Sequence, residues 1–438
     1  MGDSTIQHFP QGFLWGAATA AHQVEGNNFN NDWWQWEQKG STIRDGSKSG
    51  AACNWWETIT PDLENMVQLH QNSHRLSIEW SRIEPQEGKW DEAAIDRYRE
   101  MLKSLRGCEI EPMVTLHHFT NPLWLANQGG WESDKAISLF ERYVTKVVSS
   151  LGEFVHLWIT INEPNVYALH SYNTGEWPPG KRSLQSLLRV MRNMLLAHGA
   201  AYHAIHATQK TALVGVAHQA IHFSPALPRR MADRFASTSS HYIYNEIIAT
   251  AVARGRLLLP LGLGFKKPQL VDAIDFIGIN YYTRNLVRFN INHLPSFFVE
   301  ILPPSSNEEV SEAKTRISPA GLYKVLSWMR RYNKPIYITE NGVVDSQDTL
   351  RPRFLLTHLA AVHKAIQEGV TIRGYFHWSL IDNFEWAHGW SWKYGLIEVD
   401  EKTQARKIRP SGLLYSQICE QNGISDWMLE KYAPELLD

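Results

Sequence analysis

Eight short, apolar, β-rich runs recur along the chain with helix-like periodicity between them, and this alternation restricts the fold more than any other feature. The runs cover residues 13–20, 74–80, 112–119, 157–162, 212–218, 276–282, 336–340 and 372–379. Between them, apolar residues recur at i, i+3, i+4 and i+7. Thr60-Pro61 reads as an N-cap with Pro at the first helical position, before Leu63, Met66, Val67 and His70 on one face. Ser318-Pro319 repeats the device before Leu322, Val325, Leu326 and Met329. Further helices are expected at 92–105, 134–149, 183–207, 236–254, 352–368 and 410–421. Strand-helix alternation repeated eight times predicts an α/β fold, the (β/α)8 TIM barrel. No Gly/Ser linker or charge run divides the sequence, so residues 1–438 read as a single domain. Residues 222–234 and 290–314, Pro-rich or irregular, read as surface loops.

In such barrels the active site lies at the C-terminal ends of the strands. Two of the runs end there on a carboxylate: Trp158-Ile159-Thr160-Ile161-Asn162-Glu163-Pro164 and Tyr337-Ile338-Thr339-Glu340-Asn341-Gly342. A lone Glu at a strand end is usually just solvated. Two of the same design on strands four and seven face one mouth and point to a paired-carboxylate site. Arg75, His118, Asn162, Asn280, Tyr282 and Trp378 could converge there as well.

Composition narrows the chemistry. A formal net charge of −2, with interspersed signs and no basic block, argues against nucleic acid or an anionic membrane as partner. No window reaches the roughly 18 consecutive apolar residues of a spanning helix. The first residues, Met1 to Ile6, lack a signal-peptide or myristoylation pattern. Cys53, Cys108 and Cys419 stand in no metal-ligand spacing and fit a reduced, cytoplasmic chain. The 18 Trp are the unusual count, and many sit beside polar residues, as in Asp32-Trp33-Trp34-Gln35-Trp36-Glu37 and Trp386-Ala387-His388-Gly389-Trp390. A sugar needs an aromatic face under its C–H side and hydrogen-bonding groups around its rim.

Phe13-Leu14-Trp15-Gly16-Ala17-Ala18-Thr19-Ala20 with Gln23 and Glu25-Gly26 resembles the N-terminal signature of glycoside hydrolase family 1, the β-glucosidase family. Thr160 to Pro164, Ile338 to Gly342, and Trp378-Ser379-Leu380 through Asn383-Phe384-Glu385-Trp386 resemble its remaining motifs, in order and on the right strands. The resemblance runs from about Phe9 to about Tyr415 and includes archaeal-like variants. It implies a retaining β-glycosidase acting on terminal β-D-glucosyl residues, and on β-D-galactosyl or β-D-fucosyl residues, with a small β-glucoside or oligosaccharide as substrate and neither metal nor organic cofactor. It makes Glu163 the general acid/base and Glu340 the nucleophile, with Arg75, Tyr282 and Asn280 supporting the nucleophile's charge. Gln23, His118, Asn162, Glu385 and Trp386 match the sugar-binding residues, and Trp378 the platform under the ring. Three other outcomes stay open: predominant transglycosylation, a 6-phospho-β-glycosidase, and a non-catalytic sugar-binding protein. Oligomeric state is not legible. Departures from the family pattern lie toward the leaving group, at Asn165, Phe119-Thr120, Trp177-Pro178-Pro179-Gly180, Thr315 and a shortened stretch between Phe223 and Asp272.

Overall fold

The structure, a computed structural model, describes residues 6–293 and 298–437. All eight expected runs form strands: β1 (Leu14–Ala18), β2 (Ser73–Ser77), β3 (Glu111–His117), β4 (Leu157–Asn162), β5 (Leu213–Gln219), β6 (Phe276–Tyr281), β7 (Ile336–Asn341) and β8 (Ile372–Trp378). They close into one parallel barrel in chain order, β8 pairing with β1 through registers such as Phe376↔Gly16 and Trp378↔Ala18. Strands β4 and β7 are buried at every residue. Helices cover their outer face and opposing strands their inner face, so these runs carry apolar residues without the alternation of a half-exposed strand.

Helix Lys135–Leu151 shows how the outer layer is held. Phe140, Tyr143, Val144, Val147, Val148 and Leu151 form one buried stripe that packs toward helix Leu184–Thr208. Each such side chain contributes about 1.5–3 kcal/mol by leaving water. The expected cap at Ser318 is present: its hydroxyl accepts from the Gly321 amide, with Pro319 first in the helix. The Thr60-Pro61 start differs by one position, because the cap residue is Ile59 and the nearby hydroxyl bond runs from the Thr60 amide to Thr58. That helix stops at Gln68, and His70 has left the face, its φ of +52° lying in the left-handed region.

Both expected loops carry regular structure. Strands His222–Pro225, Arg284–Phe289 and Val299–Ile301 form a separate three-stranded sheet, with the middle strand parallel to the first and antiparallel to the last. Helix Met231–His241 packs on this sheet around Phe223, Ala236 and Val287, and continues through a π-helical turn at Tyr242–Glu246 into Ile247–Arg254. Residues 294–297 of the second expected loop, and residues 1–5 at the start of the chain, lie outside the described residues. Among the described residues no helix is long and apolar enough to cross a membrane.

Candidate active site

The backbone aims both glutamates into the barrel mouth by breaking strand regularity. The pairing of β4 with β5 shifts register between Ile159 and Asn162, and Glu163 follows in the left-handed region at φ +45°, ψ 61°. For a residue with a side chain that conformation costs about 1–2 kcal/mol. It is held by the Glu163 amide, which donates to the Ala217 carbonyl at 2.7 Å, and by Pro164, which starts helix Pro164–Leu169. On β7 the register against β6 shifts between Ile338 and Glu340, which sets Glu340 opposite Asn280. Gly342 then allows the turn to approach β8, since a Cβ there would collide with the Trp378 carbonyl.

One hydrogen-bond network spans the barrel beneath the two carboxyls. Arg75 of β2 is 1% exposed and donates through Nη1 to Glu340 Oε1 at 2.5 Å, and through Nη2 to Asn162 Oδ1 at 2.6 Å. Asn280 Nδ2 donates to that same Asn162 oxygen at 3.1 Å and to Glu163 Oε1 at 2.8 Å. The Asn280 oxygen accepts from Thr339 Oγ1 at 2.6 Å. Tyr282 donates its hydroxyl to Glu340 Oε2 at 2.5 Å. Both glutamates are buried.

Burial raises both acids, and their neighbours then separate them. The Glu163 carboxyl is pushed up to about 8, first by loss of hydration and second by the charge of Glu340, against the pull of Asn280 and Arg75. Burial also lifts Glu340, but the Arg75 charge and hydrogen bonds from Tyr282, Arg75 and Asn280 oppose the rise. The proton shared by such a pair therefore sits on Glu163 and the charge on Glu340. Asn280 bonds the Glu163 carboxyl and stands opposite Glu340 in the strand register.

Above this floor is a cavity of about 350 Å3 lined by Glu163, Glu340, Asn162, His118, Tyr282, Trp378, Glu385 and Trp386. Trp378 Nε1 donates to Glu385 Oε1 at 3.2 Å. The His118 ring stacks against Trp378 and Trp386 at centroid separations of 6.0 and 5.9 Å, and its Nε2 meets the Asn162 amide nitrogen at 3.1 Å. Burial and the nearby Arg75 charge push His118 well below the usual imidazole range, so the ring is neutral. Burial lifts Glu385 well above the carboxylate range, and contacts with Trp378 and Gln23 oppose that rise. Every residue expected at the site converges here, although Arg75, Asn280 and Gln23 stand behind the wall rather than on it. Gln23 is fixed by bonds from its amide nitrogen to Asn383 Oδ1 (2.7 Å) and the Phe384 carbonyl (2.9 Å). Among the described residues no group of three His, Cys, Asp or Glu side chains is placed to hold a metal.

The sequence reading missed several residues at the cavity mouth: Arg44, His170, Glu176, Gln219, Trp392 and Tyr394. Gln219 ends β5 and was accessible to the strand-end rule. Tyr394 faces Tyr282 at 6.0 Å between rings and belongs to the aromatic-polar segment that begins at Trp386. Arg44, His170 and Glu176 meet from two loops and a helix end, with Arg44 Nη2 and His170 Nδ1 each 3.5 Å from Glu176 Oε2, and burial holds the His170 ring below the usual imidazole range. Phe119, Trp177 and Thr315, three of the departures noted above, do line the mouth, whereas Asn165 is buried with its amide nitrogen bonded to the Gln219 carbonyl.

Comparison with known proteins agrees with this geometry. The profile of glycosyl hydrolase family 1 matches residues 5–424. Beta-glucosidase A of Thermotoga maritima is 32% identical, the match covering 96% of this chain and 100% of that protein. A beta-galactosidase of Pyrococcus woesei is 29% identical over 98% of this chain and 99% of its own. Among solved structures, a beta-glycosidase from Pyrococcus horikoshii superposes with a TM-score of 0.92 at 39% identity, covering 99% of this chain and 100% of that one.

Proposed function

The chain belongs to glycosyl hydrolase family 1 and is a glycoside-hydrolysing enzyme, and from that premise we propose that it removes terminal β-D-glucosyl residues, and β-D-galactosyl or β-D-fucosyl residues, by double displacement. The observation that carries the reading is the single hydrogen-bond network that joins the two carboxyls, from Glu340 through Arg75, Asn162 and Asn280 to Glu163. Asn280, bonded to Glu163 and set opposite Glu340 in the strand register, supports the separation of about 5 Å at which one carboxyl attacks carbon while the other protonates the leaving oxygen; a water-activating pair would stand farther apart. In the first step Glu340 attacks the anomeric carbon, the bond to the leaving oxygen breaks, and Glu163 gives that oxygen its proton. Glu163, now ionised, takes a proton from water in the second step. The resulting hydroxide attacks the same carbon and frees Glu340, so configuration is kept.

Side chains around the cavity match the sugar's needs. Asn162 is locked through its oxygen by Arg75 and Asn280; one N–H faces His118 and the second is left for the 2-hydroxyl. A neutral Glu385 both donates and accepts, which suits two adjacent hydroxyls. The charges of Asp382 and Glu340 beside Glu385 disfavour a phosphorylated sugar and support a plain one. The name of the Pyrococcus woesei relative supports tolerance at the 4-position.

Glu340→Ala should abolish hydrolysis of an aryl β-glucoside, and added azide should restore turnover with a glycosyl azide of inverted configuration. Normal hydrolysis by that variant would overturn the assignment. Product analysis at high glucose separates hydrolysis from transfer.

A further inference from the structure

Trp386 borders the cavity and can offer a sugar only one donor, its indole N–H, so the tilt of the ring decides whether that bond forms. Its backbone does not secure the tilt: φ is +53°, in the left-handed region that side chains disfavour, within the short turn Trp386–His388. Neighbouring rings hold it instead. Those of His118 and His22 lie nearly parallel to the indole, at 16° and 14°, with centroids 5.9 and 5.8 Å away. His118 borders the cavity, whereas His22 is 1% exposed and stands behind it.

His22 is itself fixed at both ring nitrogens. Asn31 Oδ1 accepts from the Trp34 amide at 2.8 Å, and Asn31 Nδ2 donates to the Asn28 carbonyl at 2.9 Å, so the side-chain amide has one orientation and its second N–H meets His22 Nδ1 at 3.2 Å. Nδ1 is therefore the acceptor, and Nε2 carries the proton that it donates to Glu37 Oε1 at 2.8 Å. The other Glu37 oxygen accepts from the amide and the hydroxyl of Ser49, at 2.8 and 3.0 Å. The side chains of His22 and Glu37 are both fully buried. An apolar ring would fill the same space without the cost of burying a carboxylate. What the carboxylate adds is a fixed direction for the ring.

We propose that His22, oriented by Glu37, is a positioning residue for the sugar: it sets the plane of Trp386 and with it the direction of the donor offered to one sugar hydroxyl. The inference rests on the reading of the cavity as a glycosidase site.

The test compares kcat/KM for an aryl β-D-glucoside with the values for its 3-, 4- and 6-deoxy analogues carrying the same leaving group. Trp386→Phe removes the N–H, and its penalty should disappear for the one analogue that lacks the hydroxyl Trp386 serves. His22→Gln keeps both hydrogen bonds, since the new amide can donate to Glu37 and accept from Asn31, and removes only the ring. It should lower kcat/KM for the parent glucoside by roughly threefold to tenfold, the scale of one net hydrogen bond, and by less than about twofold for that same analogue. Equal losses on all the substrates, a loss under about twofold on the parent, or a Trp386→Phe penalty that no analogue escapes would overturn the proposal. If His22→Gln does not fold, Glu37→Asp, which keeps the charge and draws it back from the ring, is held to the same pattern. Calorimetry with the hydrolysis-resistant S-glucoside and its deoxy analogues separates this proposal from the glucosidase reading. Wild-type binding without turnover of any glucoside, with the selective loss still seen in His22→Gln, supports the positioning role and defeats the glucosidase assignment, whereas normal turnover with uniform losses defeats the positioning role alone.

Discussion

Replacing Glu340 by Gln should make Glu163 much more acidic. The Glu163 carboxyl stands at about 8 because of burial first and the Glu340 charge second. The substitution leaves burial nearly unchanged and deletes the charge. At the separation of about 5 Å expected of a retaining pair, and an effective dielectric of about 20, two unit charges interact by roughly 3 kcal/mol, a little over two tenfold steps in proton affinity. Arg75, relieved of its partner, pushes the same way, since its charge already opposes the rise. The wild-type protein should show the matching pH dependence. The proton-donating form of Glu163 is the protonated one, so kcat/KM should hold on the acid side of the Glu163 midpoint and be lost as pH rises through about 8. Isotope-edited carbon NMR of side-chain-labelled glutamates would follow the titration in E340Q, with E340Q/E163Q assigning the signal. A Glu163 midpoint that stays near 8 in E340Q, or rises, would refute the role given to the Glu340 charge.

Two further substitutions test the supports of the site. Tyr282→Phe removes the hydroxyl donated to Glu340 at 2.5 Å; at about 1.5–3 kcal/mol for a bond to a charged acceptor, kcat/KM for an aryl β-glucoside should fall roughly tenfold to a hundredfold, and a fall below about threefold would mean that Arg75 alone holds the charge. Arg409→Met removes both guanidinium bonds to Asp382, at 2.9 and 2.8 Å, and leaves a buried carboxylate unpaired; urea unfolding at neutral pH should show a loss of about 3–5 kcal/mol, and a loss under about 1 kcal/mol would show that this pair does not anchor the segment leading to Glu385.

The barrel was legible because its strands are buried on both faces. A run such as Leu157–Asn162 has no polar alternation to blur it, and its ends matched the expectation residue for residue. The accessory sheet was not legible. His222–Pro225 ends on a proline, and its partner strand begins at Arg284, so the pairing that makes it a strand is far away in sequence. The same reason separates the parts of the site. Glu163, Glu340 and Glu385 announce themselves in local motifs, but the Arg44–Glu176–His170 cluster exists only where loops meet. The register shifts on β4 and β7 leave no mark in composition, although they decide where both carboxyls point.

The floor of the site has a consequence for how this molecule fails. Arg75, Asn162, Asn280 and Glu340 come from β2, β4, β6 and β7, and their bonds cross the lumen from one wall to another. Glu163 and Glu340 are therefore tied into cross-braces of the closed cylinder and are not attachments to its rim. Heat or denaturant that parts any of these strands dismantles the charge arrangement in the same event, so loss of activity and loss of the barrel form one cooperative transition.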